Sequence, residues 1–165
     1  MKVIYSCYGG AHSSPVAAAI HLGLLPEDRV PEPGALMRIP RFDRVGSEEQ
    51  GRAAFIGKDA SGHEVYVLAR GPAGKAVERA FFSGASLAGA DPSEFLLVDT
   101  LVCVNLSMRV GGFLSRRLGW TALGRPIVLW GTRRAYANLV RLVRETKGRL
   151  APRTGREENP RGGKN

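Results

Sequence analysis

Cysteine is scarce in this chain. Of 165 residues only Cys7 and Cys103 are cysteine, and both fall in or beside apolar runs. That excludes a disulfide framework. Long hydrophobic stretches are absent as well. No apolar run approaches the roughly 18 residues of a membrane-spanning helix. The amino terminus passes directly into a strand pattern, leaving no room for a signal peptide. A soluble, cytoplasmic protein is expected, with no membrane partner. Two nucleotide-binding signatures are missing: neither GxxxxGK[ST] nor GxGxxG occurs. No internal repeat is visible. Acidic residues are few, with 15 Asp+Glu against 24 Lys+Arg and a formal net charge of +9. A basic surface favours anionic partners. The bland alternative is an arginine-rich composition that implies no partner.

What is present suits one α/β domain. Hydrophobic residues make up 44%, enough for a core in a domain of this size. Residues 2–7 form a short apolar run with β-branched and aromatic members, read as a buried strand. Ser14-Pro15 then reads as a helix start, with Ser14 as N-cap and Pro15 in the first turn. Residues 26–50 are proline-rich and irregular, with one short helix near 35–38. Residues 53–57 and 63–69 form a hairpin around the turn at 58–62. A helix follows over 72–87, with Ala76, Val77, Ala80, Phe81 and Ala85 facing inward. Residues 95–98 are a buried strand ending at Asp99-Thr100. Residues 107–118 suit a helix with a kink or close contact at Gly111-Gly112. Residues 126–130 read as another strand. Thr132 then caps a last helix whose inward side carries Tyr136, Leu139, Val140 and Val143. Strands alternating with helices imply a mainly parallel sheet with helices on both faces, a three-layer, Rossmann-like arrangement plus one β-hairpin. The domain is expected over 1–147, and 148–165 is expected to be a flexible basic tail.

The segment Cys7-Tyr8-Gly9-Gly10-Ala11-His12-Ser13-Ser14 links a strand to a helix start. Glycines let backbone approach a ligand, and the amides at a helix amino terminus attract anions. Gly9, Gly10, Ala11, His12, Ser13 and Ser14 are therefore expected to hold a phosphate-like anion. The alternative is a tight turn with an ordinary cap. His12 is a candidate acid–base group and Cys7 a candidate nucleophile, although a strand-end cysteine is also ordinary core. Asp99 ends an apolar strand where a carboxylate can position Mg²⁺ or water, or simply cap a turn. Arg70 and Arg133 can lend charge to the loop or be solvated. His12, His21, Cys7 and Cys103 match no zinc spacing, so no metal is expected. Arg109, Arg116, Arg117, Arg133, Arg134, Arg141 and Arg144 form a basic face. Without interleaved aromatics it is read as solvated, so nucleic acid is not expected as a partner.

Two resemblances follow from these residues. The run Val3-Ile4-Tyr5-Ser6-Cys7 through Ser14-Pro15 resembles the opening of low-molecular-weight tyrosine phosphatases and related arsenate reductases. Cys7, Gly9, Ser14 and Pro15 match, but Ser13 stands where that family has its phosphate-clasping Arg. No Asp-Pro pair of the acid-bearing type follows late in the chain. The second resemblance spans residues up to about 147. It is carried by Cys7 to Ser14, Ala18-Ala19-Ile20-His21-Leu22-Gly23, Ile56-Gly57-Lys58-Asp59, Glu64-Val65-Tyr66-Val67-Leu68, Val98-Asp99-Thr100, Gly111-Gly112-Phe113-Leu114-Ser115-Arg116 and Gly124-Arg125-Pro126-Ile127-Val128. These segments resemble an uncharacterised family of clostridia and other spore-forming Gram-positive bacteria (Firmicutes). That implies a bacterial cytoplasmic setting and leaves the activity open. The expected function is binding of phosphate or a nucleotide, with action on a phosphorylated small molecule. The rivals are a Cys7-dependent phosphatase- or reductase-like enzyme and a non-catalytic interaction module. Cofactor and oligomeric state are not legible.

Overall fold

The computed structural model describes residues 1–151, the side chains of Ser47, Arg116 and Arg117 excepted. Four strands form one sheet in the order β2-β3-β1-β4: β1 (Lys2–Cys7), β2 (Ala53–Lys58), β3 (Glu64–Ala69) and β4 (Phe95–Asp99). β1 runs parallel to both neighbours, pairing Tyr5 with Val67 on one side and with Val98 on the other. β2 pairs antiparallel with β3, and its register shifts between Phe55 and Gly57. The sheet is thus mixed and mostly parallel, and the hairpin stands at its edge.

Alternation along the strands decides which side each residue faces. Val3, Tyr5, Val65, Val67 and Val98 join one buried cluster with α1 (Ser13–His21) and α5 (Thr121–Leu150). Every residue of α1 is buried. Its run Ala17-Ala18-Ala19 is small enough to lie close against its neighbours. On the opposite face, Phe81 of α3 (Gly74–Leu87) meets Phe95 edge-on at 5.4 Å. The half-buried side of α3 is Val77, Phe81, Phe82 and Ala85, whereas Ala76 and Ala80, expected inside, are exposed.

The irregular stretch between α1 and β2 contains α2 (Pro33–Arg38). It contributes Leu36, Ile39 and Phe42 to the core, so it is a packed connector. After β4 come a 3₁₀ turn (Thr100–Cys103), α4 (Leu106–Gly112) and one π-helical turn (Phe113–Arg117).

Three local expectations are corrected. Residues 126–130 are no strand; they belong to the 30-residue α5. Thr132 caps nothing. It lies buried inside α5, with its hydroxyl donated to Val128 O at 2.7 Å. The physical reason is periodicity. Gly124, Val128, Gly131, Ala135, Leu139 and Val143 recur every three or four residues and form one continuous packed stripe. That stripe overrides the β-propensity of Ile127 and Val128. Third, α1 begins at Ser13 with His12 at its cap position, so Ser14 is not the cap. Of the basic tail expected over 148–165, residues 148–150 continue α5, and those beyond 151 lie outside the described residues.

Candidate functional site

The loop after β1 is pinned to the strand beside it. Arg70 N donates to Cys7 O and Gly71 N to Tyr8 O, both at 2.8 Å. Gly10 takes φ +65°, and a Cβ there would stand 3.1 Å from that of Ala69. Glycine is therefore required both for the left-handed turn and for the close approach. From this turn Gly10 N donates to Cys7 Sγ at 3.1 Å. Ser14 Oγ lies 3.1 Å from the same sulfur. The hydroxyl expected to cap the helix thus serves the cysteine. Ser13 Oγ donates to Thr100 Oγ1 at 2.9 Å, because the Thr100 proton is already committed to Ser6 O. This contact ties the first loop to the turn after β4. Among the described residues, no hydrogen-bond acceptor meets the amides of Tyr8, Gly9, Ala11, His12, Ser13 or Ser14.

Part of this loop lines a cleft of about 900 Å³. Cys7, Gly9, Ala11, His12 and Ser13 form one wall, and Leu101, Val104, Met108 and Phe113 an apolar one. Arg109 of α4 lines the same cleft. The residue placed by sequence on a solvated basic face therefore lines the cleft together with the loop.

Behind the cleft lies a carboxylate that no motif announced. Asp43 is fully buried and sits at φ +52°, a left-handed conformation uncommon for a non-glycine residue. Its amide donates to Ala11 O at 2.9 Å. Its carboxylate accepts from His12 Nε2 at 3.3 Å, Ser115 Oγ at 2.8 Å and Arg125 Nε at 2.8 Å. Burial by itself would raise this carboxyl's pKa. The hydrogen bonds from His12, Arg125 and Ser115 outweigh it and hold the group well below the usual range. His12 is also fixed by an edge-on contact with Phe42 at 5.6 Å and by Gly112, where a Cβ would come within 3.3 Å of the ring.

The remaining predicted residues lie elsewhere. Asp99 is absent from the cleft lining. It accepts from Leu101 N at 2.8 Å, capping the 3₁₀ turn, and pairs with Arg70. Arg70 is thereby engaged away from the loop, and Arg133 faces Glu32 at 3.7 Å. Cys103 is buried, which pushes its thiol pKa up and marks it as core. His21 closes a separate cluster at the far end of α1. Tyr5 Oη donates to its Nδ1 at 2.8 Å, and its Nε2 donates to Asp59 at 3.0 Å. Asp59 also accepts from the ring and the amide of His63. This cluster pins the hairpin turn to α1. Among the described residues, no group of three or more His, Cys, Asp or Glu could hold a metal ion. No helix there is long and apolar enough to cross a membrane.

Neither a curated protein nor a solved structure matches this chain. A family model does match, over residues 2–148, and its description is "Protein of unknown function (DUF3189)". The chain therefore belongs to that uncharacterised family.

Proposed function

We propose that the cleft between the first loop and α4 binds a phosphoryl-bearing small molecule. Its oxyanion rests on the amides of Gly9, Ala11, His12 and Ser13, and its charge is met by Arg109. The observation that carries this reading is the set of unpartnered loop amides on the wall of a cleft that also holds a cation. Amides at a helix amino terminus supply partial positive charge, and a guanidinium gives charge-assisted hydrogen bonds to phosphoryl oxygens. Arg109 would replace, from a different helix, the arginine that Ser13 displaces from the phosphatase-like loop. A three-layer, Rossmann-like arrangement suits this placement. Right-handed crossovers put α1 and α3 on opposite faces, and ligands then gather at the carboxyl ends of the strands.

The test is titration of inorganic phosphate against the full chain, following backbone amide resonances. Shifts concentrated at Gly9 to Ser14, and an affinity about tenfold weaker in Arg109→Ala, are expected. Loop resonances that ignore phosphate would overturn the reading.

A second reading rests on the two groups directed at Cys7 Sγ. The Gly10 amide and the Ser14 hydroxyl are placed to accommodate negative charge on sulfur. In a Cys7-dependent phosphatase, Sγ would attack phosphorus while the ester oxygen departs. Hydrolysis of an aryl phosphate that is lost in Cys7→Ser, with phosphate binding retained, supports it. Turnover that survives Cys7→Ser removes it.

A further inference from the structure

Residues 126–130, Pro-Ile-Val-Leu-Trp, are apolar enough to read as a buried strand, yet among them only Val128 is buried. They lie in the amino half of α5. One side of that half packs on α4 through Gly124, Val128 and Gly131, Leu129 packs against the core, and Ile127 is half-buried, whereas Leu123, Pro126 and Trp130 are exposed. Positions 120, 123, 127 and 130 recur at helical spacing and share one side. Trp120 is 57% exposed, Leu123 62% and Trp130 54%. The same side continues into Arg134 and Arg141, and the Arg134 guanidinium stands over the Trp130 ring at 4.9 Å. From residue 100 to residue 144 the sequence contains no Asp, Glu or Lys, so every charged residue there is arginine.

We propose that this side of α5 lies on an anionic membrane surface. Trp120, Leu123, Ile127 and Trp130 enter the boundary between headgroups and acyl chains, and Arg134 and Arg141 meet the lipid phosphates. A helix with an apolar side, tryptophans at its margin and flanking arginines has the features of an interfacial helix. Arginine stems pack along apolar surface while the guanidinium stays with the headgroups. A second copy of the chain is disfavoured as the occupant, because it would set the exposed Arg134 and Arg141 of one copy against those of the other. Nucleic acid would match the arginines but leave Leu123 and Ile127 without an apolar counterpart. The want of a spanning helix does not bear on this contact, since lying on a bilayer needs only one apolar side.

The test mixes the full chain with vesicles of phosphatidylcholine alone, or with phosphatidylglycerol added. The chain has 2 tryptophans, both on this side, so their emission reports the contact directly. Anionic vesicles should shift the emission to the blue, and brominated acyl chains should quench it. Neutral vesicles should do neither, and raised salt should weaken binding by about tenfold or more. Leu123→Glu should abolish co-sedimentation, while Leu87→Glu, at an 89% exposed site on α3, should bind as the parent does. The pair Arg134→Glu and Arg141→Glu repeats the test through charge alone, should Leu123→Glu fail to fold. Equal binding to neutral vesicles would overturn the proposal. So would no binding to anionic ones, or a lipid-free dimer that buries both tryptophans.

Discussion

Asp43 joins three parts of the chain through one carboxylate. It holds His12 of the loop, Ser115 of the π turn and Arg125 of α5. Replacing it with Asn keeps the shape but removes the charge that these donors share. Hydrogen bonds to a charged group contribute about 2 kcal/mol each, and the strained backbone at residue 43 would lose its compensation. Asp43→Asn is therefore expected to lower the free energy of unfolding by about 2 kcal/mol, read from urea titration. An unchanged urea midpoint would show that the network contributes nothing net. At this scale the sequence was partly legible. Cys7, His12 and Ser13 do line the cleft, because strand, glycine turn and helix start are local signals. Asp43 was invisible, since it sits in a proline-rich stretch with no periodicity and reaches the loop from far along the chain. Arg109 was visible only as one arginine among many.

Among the elements, the contact between α4 and α5 depends on missing side chains. A Cβ on Gly131 would come 2.8 Å from Met108 N, and one on Gly124 would collide with Ser115 N and Gly111 O. Both neighbours are backbone and have little freedom to yield. Gly131→Ala should therefore destabilise by about 1–3 kcal/mol despite the higher helix propensity of alanine. Thermal unfolding measures it, and a stabilised Gly131→Ala would refute the tight packing. Gly111-Gly112 signalled this contact in the sequence, as a kink or close approach. Its partner on α5 was masked by the residues around it, because Pro126, Ile127 and Val128 carry strand propensity and the helical stripe through them is set partly by glycines. Composition described the run correctly as apolar; only the packing shows that Val128 alone is fully buried while Pro126 and Trp130 stay exposed.

For the whole molecule, acid sensitivity follows from three buried or half-buried groups. Burial would raise the Asp59 carboxyl pKa, but hydrogen bonds from His21 and His63 outweigh it and hold the group well below the usual range, as happens for Asp43. Burial lowers the His21 pKa, with the Asp59 hydrogen bond opposing. An accepted proton from Tyr5 at Nδ1 and a donated one to Asp59 fit a neutral ring. The signs agree. Below about pH 6.5 the unfolded chain protonates His21 while the folded one resists, so stability falls. Below about pH 4 the depressed carboxylates add their loss as the pH drops toward their folded values. The urea midpoint should decline on acidification from neutrality, and Asp43→Asn should flatten the lower limb. A midpoint constant between pH 7 and pH 4 would contradict this linkage.

The amino-acid sequence by itself determined the strand–loop–helix opening, the hairpin, the basic balance and the α/β class. Each rests on neighbours close in the chain: propensity, two- or four-residue periodicity, and turn chemistry. Tertiary structure alone decided that residues 126–130 continue a helix, that Asp43 stands behind His12, and that Arg109 lines the same cleft as the loop. Those outcomes depend on packing between segments far apart in the chain, and on burial that cancels or reverses local preference.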